Sequence, residues 1–328
     1  MTAQVTSPRA EDAAAPRRDT PLVWVTKYSV YTALVVLLVF NLVATPGFTS
    51  GATIANYLFA AAPIVLIAVG QSLAIATGGI DLSVGSVMAL SSALIALYLG
   101  YGEAGAVVVA VGVAMLVGAA NGSLIAFLRI NPLITGLGLL VAARGLAQAV
   151  TGGSRTSIPP GGLFSWLGSA RVLGVPVVAL VALVVAAVVA FAVRRTVFGR
   201  SVLYVGSNRD AAYLAGIARN PMLVTVYAVS GLLAGVAGVM VSARIGASDP
   251  SFIGINLELT AIAAVVVGGT PLSGGRITVL GTVVAALFLQ LIDTTFVMHD
   301  LNFAYAQILK ALLIVGALYL QRTVKAAR

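Results

Sequence analysis

Cysteine is absent from these 328 residues. That excludes disulfide staples, thiolate nucleophiles and cysteine-ligated metals. A single histidine, His299, is too few for a histidine-rich metal site. Lysine is almost as scarce: Lys27, Lys310 and Lys325 are the only three, and none follows a glycine. No G-x-x-x-x-G-K-[ST] phosphate cradle exists, so any ATP that drives this chain is hydrolysed on another one. Neither H-E-x-x-H nor G-x-S-x-G occurs, which leaves a membrane-embedded enzyme without a catalytic cluster. Charged residues make up only 9% of the chain, against about 25% in soluble domains.

What is there is apolar: 60% hydrophobic residues and a mean hydropathy of +1.06. A soluble fold of this length has no interior large enough for so much apolar side chain. The expected class is an all-α polytopic membrane protein. At roughly 20 apolar residues per span, about ten segments are found: 24–43, 57–76, a third from the break at 78–85 to 99, 104–128, 133–150, 172–193, 222–243, a short 258–267, 277–297 and 303–320. The sixth, nearly pure Val, Ala and Leu, is expected to face lipid. Residues 1–22 are polar, with three prolines, and read as a disordered cytosolic tail. Residues 23–321 form the transmembrane domain and 322–328 a second cytosolic tail.

The net charge of +9 points to cytoplasmic loops rather than to nucleic acid, because basic residues flanking spans stay inside. With the N-terminus inside, fourteen of the nineteen basic residues fall on inner segments; the reverse orientation breaks that rule throughout. The densest cluster is the loop 194–221, with Arg194, Arg195, Arg200, Arg209 and Arg219. Inside it, Asp210-Ala211-Ala212-x-x-x-Gly216 reads as a short helix with a small-residue face, ended by a glycine in the left-handed C-cap conformation. Such a helix suits docking against a cytosolic motor.

Gly78-Gly79-x-x-Leu82-Ser83-x-Gly85 is matched by Gly268-Gly269-x-x-Leu272-Ser273-x-Gly275. Paired glycine interruptions point to an internal repeat with a translocation path between its halves; the plainer alternative is a pair of loops at the inner surface. The span count gives both breaks one orientation, whereas an inverted repeat requires opposite ones. Asp81 has two readings, an N-cap partner of Ser83 or a group on the pathway. Gln71 and Asn121 lie within spans, where an uncharged solute finds hydrogen-bond partners, although simple interhelical bonds are the commoner role of such residues. Arg144 and Asp293 are expected to snorkel to the outer surface; Lys310 lies nearer mid-span. The scarcity of titratable groups in the spans argues against a proton-coupled carrier.

These motifs carry a resemblance. TGGIDLSVGSVMAL (77–90), ANGSLIAFLRINPLITGLG (120–138), FGRSVLYVGSNRDAAYLAGI (198–217) and VVVGGTPLSGGRITVLGT (265–282) are similar to stretches of the permease subunits of bacterial monosaccharide ABC importers. The resemblance implies an inner-membrane permease with both termini cytoplasmic, paired with a second copy or paralogue. It implies a cytosolic ATPase carrying the ATP and Mg, with no cofactor in this chain, and an extracytoplasmic sugar-binding protein that sets specificity. It also implies that Asp210-Ala211-Ala212 and Gly216, with Gly199, Arg200, Gly206 and Asn208 around them, dock on the ATPase; aspartate here replaces the family's glutamate. Gln71, Gly78, Gly79, Asp81, Ser83, Asn121, Gly268, Gly269 and Ser273 are the candidates for the path. The competing expectation is a self-sufficient carrier or facilitator, which moves solute without an added ATPase.

Overall fold

A computed structural model describes residues 21–326; the expected N-terminal tail lies almost entirely outside them. Among the described residues the regular structure is helical, including one 3-10 turn at Leu99–Tyr101, apart from two two-residue ladders. Helices α1 (Pro21–Ala44), α2 (Gly51–Ala76), α3 (Val84–Tyr98), α4 (Glu103–Ala126) and α5 (Pro132–Thr151) are followed by the short α6 (Gly162–Ser169) and by α7 (Val177–Arg195). Then come α8 (Val197–Ser207), α9 (Arg209–Leu214), α10 (Arg219–Ile245), α11 (Leu257–Val267), α12 (Val279–Met298) and α13 (Phe303–Ala326). Seven of these segments are long and apolar enough to cross a bilayer, and three shorter apolar stretches, in α1, α11 and α13, bring the total to about ten. The last helix runs on through residues 322–326, expected as tail.

Small residues let the central helices meet at their backbones. On α10, a Cβ at Gly231 would strike the Ala114 carbonyl of α4, and one at Gly235 would lie 2.7 Å from the Ala114 Cβ. The reciprocal site, Gly118, leaves no room beside the Tyr227 carbonyl, and Gly238 none beside Met88 of α3. Without a hydrophobic drive between helices in lipid, such close approach is what holds them together. α2 is the buried axis, enclosed from Ala61 to Ala76. The expected lipid-facing helix, α7, buries one stripe, Val178, Ala179, Ala182, Ala186, Val189 and Val193, at helical spacing. Its other face exposes Leu183, Val184, Val188 and Phe191.

The two ends of the bundle differ. One carries α8 and α9 with their arginines, and both glycine-rich breaks begin there. At the opposite end Thr156–Ser157 pairs antiparallel with Ala247–Ser248, and Glu103 accepts the Leu163 N–H at the start of α6. Between α10 and α11 the chain does not stay at that opposite end. From Ala247 it turns inward, Gly254 packs against Gly85 near the start of α3, and α11 begins there. At 1.5 Å per residue, the eleven residues of α11 cover about 16 Å, half of a hydrocarbon core of about 30 Å. The short eighth segment of the sequence is therefore a half-helix.

Candidate functional site

At the basic end the expected loop is two helices rather than one. α8 is amphipathic, with Gly199, Ser201, Val202 and Val205 turned inward and Arg200 and Tyr204 outward. Gly199 sits where a Cβ would collide with the Val193 carbonyl. α9 follows, capped by Asn208, whose Oδ1 accepts from the Asp210 and Ala211 N–H groups at 3.1 and 3.0 Å. Its other end closes as a Schellman turn. The Ile217 N–H reaches the Ala212 carbonyl, the Gly216 N–H reaches Tyr213, and Gly216 has φ +77°. Ala212 faces inward, while Asp210, Ala211, Tyr213, Leu214 and Ala215 are exposed. Tyr213 and Leu214 are 73% and 85% accessible, so α9 presents an apolar knob.

The two breaks meet beneath this knob. The Gly275 N–H donates to the Ala76 carbonyl at 2.9 Å, which ties the end of α2 to the second break. Gly206 of α8 lies on that bond: a Cβ there would collide with the Ala76 oxygen and come within 2.7 Å of the Gly275 nitrogen. Arg209 adds a 3.3 Å bond to the Thr77 carbonyl. A single α8–α9 unit thus rests on both interrupted segments.

Within the first break the chain turns at Gly78 (φ +79°) and climbs back alongside α2. Gly79 is pressed against the Tyr227 hydroxyl and Pro132. Asp81 is fully buried. Its Oδ1 accepts from the Ser83 N–H at 3.0 Å, the Ser83 hydroxyl at 2.6 Å and Asn121 Nδ2 at 3.2 Å; its Oδ2 accepts from the Ser230 hydroxyl at 3.1 Å. Gln71 completes the cage: its amide pairs with the Asp81 backbone C=O and N–H at 3.0 and 3.2 Å. Through its carboxylate Asp81 joins the start of α3, α4 and α10, and through its backbone α2; burying the charge is tolerable because four donors replace its water. Three of the polar residues singled out in the sequence, Gln71, Asp81 and Asn121, come together here, with Ser83. The sequence pointed to Ser83 as the neighbour of Asp81. It held no sign of Ser230, which lies 149 positions away.

The second break is built differently. α11 ends at Gly268, whose backbone is packed against Gly281 and Thr282 of α12, and Gly269 takes φ +91°. The Thr278 hydroxyl donates to the Gly268 carbonyl at 2.7 Å and meets the Thr270 hydroxyl at 2.9 Å. Ser273 is exposed.

Two outer charges do not snorkel. Arg144 Nη1 turns inward and donates to the Pro250 and Ile253 carbonyls, at 2.6 Å each. Asp293 pairs with Lys310 at 2.5 Å, both side chains largely buried. Among the described residues no cluster of three or more His, Asp or Glu is placed to hold a metal ion.

A bundle of about ten spans with two interrupted segments, and with a helical knob at its basic end, has the make-up of a membrane permease. The chain belongs to the family described as the permease component of the branched-chain amino acid transport system, whose model matches residues 53–318. It is similar to the galactofuranose transporter permease protein YtfT of Escherichia coli K12, at 39% identity over 80% of this chain and 77% of that one. It is 34% identical to the ribose import permease protein RbsC of the same organism, over 92% of this chain and 95% of that one. The fructose import permease protein FruF of Bifidobacterium longum is 35% identical, over 73% of this chain and 68% of the relative. No solved structure matches.

Proposed function

We propose that this chain is the transmembrane subunit of an ATP-driven importer that carries a monosaccharide across a bacterial inner membrane, with both termini in the cytosol. The family's description names branched-chain amino acids, whereas the relatives it resembles along most of its length are named for galactofuranose, ribose and fructose. The interior favours the sugars: its buried polar groups are hydroxyls and amides, and its buried charges are already paired or hydrogen-bonded. An amino acid brings two charges and requires countercharges in the path.

The observation that carries the ATP-driven reading is the α8–α9 unit. Its outer face offers Asp210, Ala211, Tyr213 and Leu214 to a partner, and its inner face rests on both breaks through Gly206 and Arg209. The partner is a cytosolic ABC ATPase holding ATP and Mg; sugar arrives from an extracytoplasmic binding protein; a second permease, identical or paralogous, completes the pathway. When ATP closes the ATPase dimer, α9 moves with it. Because α8 touches the end of α2 and the second break together, both interrupted segments receive that movement. The shift between inward- and outward-open states is set by how much better ATP binds one state than the other.

Reconstitution tests this. Vesicles holding the chain alone, the chain with its ATPase, and the full set with binding protein are compared for uptake of ribose, fructose and galactofuranose. Uptake of one of them only in the full set, and only with ATP, is the expected result. Flux through the chain alone supports a facilitator and overturns the proposal.

A further inference from the structure

The stretch between α10 and α11 runs as irregular backbone to about mid-bilayer. The α11 half-helix sets that depth from the basic end, since its first turn lies about 16 Å from its last. Gly254 agrees with that depth: it packs against Gly85, four residues beyond Asp81, whose carboxylate bonds Ser230 midway along α10. Lipid does not tolerate bare, non-helical backbone at that depth; it survives only buried in protein or beside water. Part of this turn is buried, with Ala247, Ser248, Pro250, Ile253 and Gly254 facing the bundle. The rest is open: Phe252 is 76% accessible, Ile255 49%, and Asn256 is exposed in the left-handed conformation at φ +58°.

Arg144 explains how the turn holds its shape. Its guanidinium binds the Pro250 and Ile253 carbonyls, which a tighter turn would have paired internally, and Glu258 at the start of α11 lies within its electrostatic reach. Leu137, Val141 and Gln148 share the Arg144 side of α5 by helical spacing and are exposed too.

We propose that residues 252–256 form the wall along which the sugar crosses mid-membrane, with Asn256 hydrogen-bonding its hydroxyls and Phe252 covering its C–H face. This rests on the sugar-permease reading above. An uncharged polyol suits the wall: an amide supplies both donor and acceptor, and an aromatic face with few polar groups is the usual make-up of a small-molecule site. Arg144 is a positioning residue that shapes the turn. The glycine breaks, packed on one another and beneath α8, transmit movement to this wall.

The natural absence of cysteine makes the test direct. Asn256→Cys, Ile255→Cys and, as a control on the outer face of α7, Leu183→Cys are placed one at a time in the assembled transporter in vesicles. Each is treated with a membrane-impermeant methanethiosulfonate, with and without ribose, fructose or galactofuranose. Expected is labelling at 256 and 255 but not 183, slowed by the sugar that the wild-type complex carries, with loss of uptake after labelling. No labelling at 255 or 256 in any nucleotide state overturns the proposal, as does labelling that leaves uptake intact. A disulfide between two copies at 255, closed to reagent, also overturns it and assigns the turn to a permease–permease contact. If the wild-type complex carries none of the three sugars, the sugar reading fails, and labelling at 256 still decides whether an aqueous path runs here.

Discussion

At the fourth position of the first glycine-rich break stands Asp81; at the matching position of the second stands Pro271. Asp81 and all its side-chain partners are buried, and the carboxylate draws donors from Ser83 at the start of α3, from α4 and from α10. Around Pro271 the chain is half open, and two threonine hydroxyls do the tying. The shared letters do not even fall at the same point of each turn. Gly78, the first of its pair, takes positive φ after α2, whereas after α11 it is Gly269, the second. The first break leads straight into α3 at Val84, while the second wanders to Val279 before α12 begins. The breaks also lie side by side, joined through Gly275 and Ala76. A repeated motif here marks two places where the chain must bend, one built as a fixed keystone and the other as a yielding strap.

Substitutions sharpen that contrast. Asp81→Ala removes the acceptor from Ser83, Asn121 and Ser230, at about 1–3 kcal/mol for each buried donor left unpaired. It is expected to abolish accumulation of folded protein, read by thermal unfolding in detergent. Normal stability would mean that the cage is not a keystone. Gly206→Ala drives a methyl into the Ala76 carbonyl; overpacking costs about 1–3 kcal/mol, and uptake is expected to fail even where folding survives. Gly216→Val meets no neighbour but forbids φ +77°, at about 1–3 kcal/mol of local strain. The Schellman turn opens, and the ATPase is lost from pull-downs while membrane insertion stays intact. Thr278→Val in the strap costs about 1 kcal/mol and leaves a working transporter. Ser273→Ala, exposed, stays within about 0.5 kcal/mol of wild type, measured in the same melts.

Much of this architecture was legible. Span number follows from hydropathy because a bilayer demands long apolar helices; the ends were less exact, since α2 begins at Gly51 rather than at the expected 57 and α10 runs over Arg219–Ile245 rather than 222–243. Gly216 as a helix stop needed only its missing Cβ. Less legible was α8, whose apolar face is too short to register as a span and whose arginines suggested loop. The fates of Arg144 and Asp293 depend on partners 106 and 17 positions away, which no local pattern encodes. The wall at 252–256 was hidden for the same reason: its depth is set by α11, whose length identifies it as a half-helix only once the break that follows it is known to be tied to Ala76.

The central claim is that α9 is gripped by a separate ATPase. A photo-cross-linking amino acid at position 213, in the assembled importer, tests it most directly. The account predicts a covalent adduct with the ATPase, with a yield that differs between ATP-bound and nucleotide-free states. Adducts to lipid or to nothing, in vesicles that still take up sugar on ATP, would contradict it.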